Sequence, residues 1–183
     1  MTITERIEYD VQRLDAYFRQ LFAMAQEASS QEPSSVATSE EPGYFVAHDV
    51  AAFIRPDMAC NVYSLVDFWL AELCRFHERN GHLAISHKDI KGANDLDAYY
   101  KYLTKVAALT LQAAQASYDH LDNLRKVRNC LIHGGGHIMP KRRIEIEEVP
   151  GVTVSASLVT IADSFVWDSL NHAKLYLCAV AQA

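Results

Sequence analysis

Arg128, Asn129 and His133, in the stretch LRKVRNCLIHGGGHIMPKRR, are the residues whose types and spacing point most directly to chemistry. In a helix Asn129 and His133 share a face, and Arg128 lies roughly 100° round from Asn129, so all three border one pocket. A guanidinium and an imidazole side by side repel each other when both are charged. A phosphate between them resolves the conflict. Arg clamps the non-bridging oxygens and neutralises developing charge, while His moves a proton near neutral pH. Placement at a helix C-terminus favours the imidazolium and offsets the nearby Arg. RNA brings its own nucleophile, the 2′-hydroxyl, so these groups suffice with no metal and no cofactor.

Charge distribution agrees with a polyanion ligand. Residues 125–143 carry Arg125, Lys126, Arg128, Lys141, Arg142 and Arg143 and no Asp or Glu, in a chain of net charge −6. Charges scattered for solubility need no clustering, whereas a phosphate-binding surface does. Arg125, Lys126, Lys141, Arg142 and Arg143 are accordingly expected to contact RNA phosphates, with an affinity that falls steeply as salt rises. A structural account of the same residues is also concrete: a solvated helix end and a charged loop, Arg128 paired with Asp67 or Asp122, and His133 capping its own helix.

Rival chemistries fail on stated grounds. His133-Gly134-Gly135-Gly136 spells the oxyanion loop of some esterases, but no G-x-S-x-G occurs and a helix precedes it where that fold has a strand. These glycines do not cradle phosphate as a helix N-terminus does, because they follow a C-terminus; they read as a C-cap with slack for the basic loop. Neither His77/His82/His87 nor His133/His137 puts two imidazoles on one helical face, so no metal is expected. Tyr99, Tyr100 and Tyr102 fit core and rim better than a base-stacking platform.

The elements that must position the motif are helical. Ile7, Val11, Leu14, Phe18, Leu21 and Phe22 define an amphipathic helix ending near Ser29, followed by a Ser/Pro/Glu-rich flexible loop over about 29–45. A second helix is expected after Pro56, with Val62, Val66, Trp69, Leu73 and Phe76 as its stripe and Gly81 as its stop. Asp67, on the flank of that stripe, is expected to be a supporting carboxylate paired with an Arg. DLDAYYKYLTKVAALTL resumes helical spacing, and Leu121, Leu124, Val127 and Leu131 form the stripe of the helix that ends in the motif. RRIEIEEV and VTVSASLVTI alternate around Pro150-Gly151 and predict a hairpin over about 142–161. Val166, Leu170, Ala173, Leu177 and Val180 then face one way on a closing helix. The expected fold is mainly all-α: an up-down bundle of four to five long helices with a small β-hairpin before the last.

The whole chain, 1–183, is long enough for one domain with a core that needs no disulfide or metal. Neither a long apolar run nor a secretory leader is visible, so no membrane role and a cytoplasmic location are expected. Cys60, Cys74, Cys130 and Cys178 are far apart among apolar neighbours and read as buried free thiols.

Arg128-Asn129-Cys130-Leu131-Ile132-His133, at the end of the penultimate long helix of such a bundle, resembles the signature of the HEPN superfamily: Arg, a polar residue often Asn, then His after four to six intervening positions. Long helices before the motif, glycines and a basic loop after it, a hairpin and a closing helix extend the resemblance over most of the chain. It implies a homodimer whose two motifs face each other across a cleft and, in many members, a metal-independent endoribonuclease of toxin or phage-defence type. Arg128 would polarise the scissile phosphate, His133 would act as acid or base, and Asn129 would orient the pair, leaving a 2′,3′-cyclic phosphate and a 5′-hydroxyl. An antitoxin, often a nucleotidyltransferase, would be the restraining partner. A further class of HEPN-like proteins is catalytically inactive and works by RNA or nucleotide binding or by protein interaction. One subgroup is silenced by modification of a Tyr two positions after the His; Gly135 stands there in this chain, so the resemblance does not extend to that control.

Overall fold

A computed structural model describes the backbone of residues 1–30 and 42–183, and the side chains of 1–24, 27 and 53–183. Four long helices carry the fold: α1 (Ile3–Ser30), α2 (Pro42–Asn80), α4 (Gln115–Gly134) and α6 (Asp163–Gln182). A short helix α3 (Asp95–Lys101) lies between α2 and α4, and a shorter one, α5 (Arg143–Glu147), between α4 and the hairpin β1 (Val152–Ser155) and β2 (Leu158–Ile161). Both α2 and α6 pack against α1 and α4 and against each other.

The apolar stripes meet in one cluster. Ile7, Val11 and Phe18 of α1, Val62, Val66, Trp69 and Leu73 of α2, Leu121, Leu124 and Val127 of α4, and Val166, Leu170, Ala173, Leu177 and Val180 of α6 are all buried in it. A three-to-four-residue repeat of large apolar side chains sustains such stripes, and burial of each stripe stabilises its helix more than propensity does. All four cysteines are free thiols, Cys74 and Cys130 buried and Cys60 and Cys178 partly so. Among the described residues, no helix is long and apolar enough to cross a membrane.

Three boundaries differ from the sequence expectation. Helix α2 begins at Pro42 and runs through Pro56, whereas a start after Pro56 was expected. An interior proline costs about 3 kcal/mol, but Ile54, Met58 and Ala59 on either side of it are buried, and Arg55 forms an ion pair with Asp163 at the start of α6. Tertiary contacts thus hold the helix across the break. Of the loop expected over about 29–45, residues 31–41 lie outside the described residues, and 42–45 belong to α2. Helix α3, started by Asn94 Oδ1 accepting from the Asp97 amide at 3.0 Å, ends in a π turn over Tyr102–Val106 and does not continue to Leu111. Ala108 there is left-handed, φ 57°, and the wide turn is closed by the Leu109 amide on the Leu103 carbonyl at 2.9 Å.

The hairpin is shorter than expected. Residues Arg143–Glu147 form α5 and not a strand, because a strand would bury both Ile144 and Ile146 whereas Ile144 is 72% exposed and Ile146 1%. An Arg143–Glu147 pair at 2.8 Å, four residues apart, favours the helical turn. Pro150-Gly151 does make a tight turn, with the Val152 amide on the Val149 carbonyl at 3.1 Å and Gly151 at φ 77°, but it joins α5 to β1. The antiparallel strands pair Val152 with Ile161 and Val154 with Val159, across a two-residue loop at Ala156-Ser157.

Candidate functional site

Helix α4 carries the motif on its last two turns. Arg128 is half-buried and faces α2: its guanidinium carbon lies 5.7 Å from the centre of the Tyr63 ring, and Cys60 is close enough for the positive charge to act on its thiol. Arg128 Nη1 donates to Asn129 Oδ1 at 3.2 Å. Its Nε is shut off from solvent and has no acceptor. No carboxylate pairs with Arg128 among the described residues.

Neither acid expected to meet it pairs with it. Asp122 accepts from Arg125 at 2.8 Å and from Lys126 at 3.1 Å, and these two cations hold its carboxyl below the usual carboxylate range against the opposing effect of burial. Asp67 is exposed on α2, near enough to Tyr99 for its charge to act on that hydroxyl. Burial first, and then the Asp67 charge, push the Tyr99 hydroxyl up. The same order of causes raises Tyr63 to about 12, so at neutral pH it offers Arg128 a neutral ring face.

His133 sits one turn beyond Asn129, exposed, with no hydrogen-bond partner among the described residues. It does not cap its own helix; the glycines do. Gly135, at φ 57°, ends α4 in the left-handed region, and the Gly136 amide reaches back to the Cys130 carbonyl at 3.2 Å. The chain then joins the hairpin: the Val159 amide donates to the Gly136 carbonyl at 2.9 Å, and the Ile138 amide to the Ser157 carbonyl at 2.8 Å. So the segment after His133 is held as an extra edge beside β2.

The basic island divides in two. Arg125 and Lys126 pair with Asp122, and Lys126 also meets Glu145 of α5 at 3.4 Å. Arg143 is a fastener: besides Glu147 it donates to the carbonyls of Ala156 at 2.8 Å and Val154 at 3.4 Å, tying α5 to the hairpin. Lys141 and Arg142 are exposed and make no ion pair among the described residues. With Arg128 they are the island's cations that lack a carboxylate.

Sequence reasoning missed Tyr63 and Cys60, which the packing of α2 on α4 brings to Arg128; one turn apart on α2, they carried no signal beyond their place beside the apolar stripe. The tyrosines considered for base stacking turn inward. Tyr102 is buried, and Tyr100 packs on Tyr118 with centroids 4.6 Å apart. Two surface grooves, of about 530 and 550 Å³, lie beside α1, and neither is lined by a residue of α4. Models of known protein families, curated proteins and solved structures yield no match to the chain.

Proposed function

We propose that the chain is a metal-independent endoribonuclease of toxin or defence type, acting as a homodimer in which two copies of Arg128, Asn129 and His133 flank one RNA strand. The observation that carries this reading is the state of Arg128: a half-buried guanidinium with a sealed Nε and, among the described residues, no carboxylate, while Arg125 and Lys126 beside it are both paired. Withdrawing a cation from water without an internal anion is costly, and the cost makes sense where an external anion completes the site.

A phosphodiester is that anion. Arg128, steadied by Tyr63 and Asn129, grips its non-bridging oxygens, and the exposed His133 takes the 2′-hydroxyl proton or protonates the departing 5′-oxygen. The 2′-oxygen attacks phosphorus as the bond to the 5′-oxygen breaks, giving a 2′,3′-cyclic phosphate and a 5′-hydroxyl. Lys141 and Arg142 extend the phosphate-binding surface, and an antitoxin or nucleotidyltransferase partner would restrain the activity. A second reading, an inactive module that binds RNA, nucleotide or protein, is favoured by one observation: among the described residues no hydrogen bond fixes the His133 ring.

Cleavage of RNA by purified protein in EDTA separates the two. Wild type should produce cyclic-phosphate ends, identified by mass spectrometry, and Arg128→Ala and His133→Ala should each lose them by about 100-fold or more while keeping helicity and dimer. Equal behaviour of all three proteins would leave the binding module.

A further inference from the structure

Away from the motif, the interface of α4 and α6 holds a polar cluster that helix packing by itself does not require. His120 of α4 and His172 of α6 lie face to face, with ring centroids 4.4 Å apart and planes 21° apart. Each ring is tied to a serine of the opposite helix: His120 Nε2 is 2.9 Å from Ser169 Oγ, and His172 Nδ1 is 3.1 Å from Ser117 Oγ. Ser169 is 0% exposed and Ser117 7%. Phe165 flanks the His120 ring at 5.7 Å.

The arrangement suits two neutral rings. A neutral imidazole offers one donor and one acceptor, and either can meet a serine hydroxyl. An imidazolium has two donors, so its second N–H needs an acceptor of its own, and two stacked imidazoliums repel. Charged groups near the pair supply little relief. Asp168 of α6 is the carboxylate that acts on His120, alongside His172. On α4, Asp119 is bonded by Gln115 at 2.8 Å and Asp122 is held by Arg125 and Lys126. Toward α2, Asp163 is held by Arg55.

We propose that the His120–His172 stack is a proton-operated latch between α4 and α6: neutral, its crossed serine bonds hold the two helices together, and one added proton parts the rings and loosens the helix that ends in Arg128 and His133. The latch belongs to the fold and is independent of what the motif does. Burial first, then His172, lower His120 from 6.5 to about 4, with Asp168 opposing. The unfolded chain therefore takes up this proton first as pH falls. The latch's contribution is whole above about pH 6.5 and is lost progressively toward pH 4.

The test is an imidazole NMR titration of the full chain, with urea unfolding at each pH. His120 should take up its proton at least about one pH unit below the histidines of the urea-unfolded chain. Urea midpoints should fall below about pH 6.5 in wild type and in His133→Gln, and the fall should be smaller in His120→Gln. His172→Gln, which removes the stacked ring, should move the His120 titration upward. Titration of His120 in the folded chain together with the histidines of the urea-unfolded chain, a measurement that needs no variant, would overturn the latch. An unchanged pH slope in a folded His120→Gln, or an unmoved His120 titration in His172→Gln, would overturn it equally.

Discussion

Arg128 is expensive where it sits, and that expense separates a ligand-binding role from a structural one. A structural arginine would have used Asp67 or Asp122, yet Asp67 is exposed on α2 without pairing to it and Asp122 accepts from Arg125 and Lys126. Arg128→Met keeps an apolar stem against Tyr63 and removes an unsatisfied buried N–H. It should raise the unfolding free energy by about 1 kcal/mol, measured by urea denaturation, while RNA binding is lost. A loss of stability instead would mean that the guanidinium holds the fold. Tyr63 refines the point, because its hydroxyl, raised to about 12, stays protonated at neutral pH and leaves the ring face as the part that meets the cation. Tyr63→Phe should therefore leave RNA affinity nearly unchanged, whereas Tyr63→Leu should weaken it about 2- to 5-fold, the equivalent of a cation–π contact of about 0.5–1 kcal/mol. Equal losses in both variants, read by titration of a labelled oligonucleotide, would assign the effect to the hydroxyl.

At the scale of elements, the end of α4 depends on one glycine more than on its neighbour. Gly135 is left-handed at φ 57°, whereas Gly134 is the last helical residue and an added Cβ there would meet nothing within 4 Å. Gly135→Ala should destabilise by about 1 kcal/mol, and Gly134→Ala should be neutral or slightly stabilising, as shifts in thermal midpoint would show. Gly151→Ala should cost more than either, because φ 77° is combined with a Cβ placed 2.9 Å from the Phe165 Cβ. These turns bear on what was legible in the chain. Helices α1, α2, α4 and α6 repeat their apolar stripe often enough to be unmistakable. Helix α5 has only Ile144 and Ile146, two apart, a spacing that by itself reads as a strand, and the Arg143 bonds to Ala156 and Val154 that decide the matter come from residues not yet folded at the level of local pattern. The Pro150-Gly151 turn was readable, but which elements it joins was not.

Across the whole molecule, the motif was legible because Arg128, Asn129 and His133 are neighbours on one helix, while its surroundings come from residues far apart in sequence. Nothing local announces that Tyr63 of α2 meets Arg128, or that His172 stacks on His120, since each contact joins two helices. The same holds for charge: a count along 125–143 shows six cations, but folding pairs Arg125, Lys126 and Arg143 with Asp122, Glu145 and Glu147. On the proposed reading Arg128, Lys141 and Arg142 remain for phosphate, and counterion release turns this difference into a number. On one RNA strand shared by the two copies of the dimer, three contacts per copy give a slope of log affinity against log salt of about −4, whereas six per copy would give about −8. Titrations of a labelled oligonucleotide at several salt concentrations, with stoichiometry fixed by sedimentation, should therefore return the shallower slope, and Lys141→Ala, lost from both copies, should reduce it by about 1.4. A slope near −8 would mean that RNA breaks the internal ion pairs and draws Arg125, Lys126 and Arg143 onto its backbone. The hairpin would then lose its Arg143 fastening on binding, and α5 should show faster amide exchange in the complex than in the free chain.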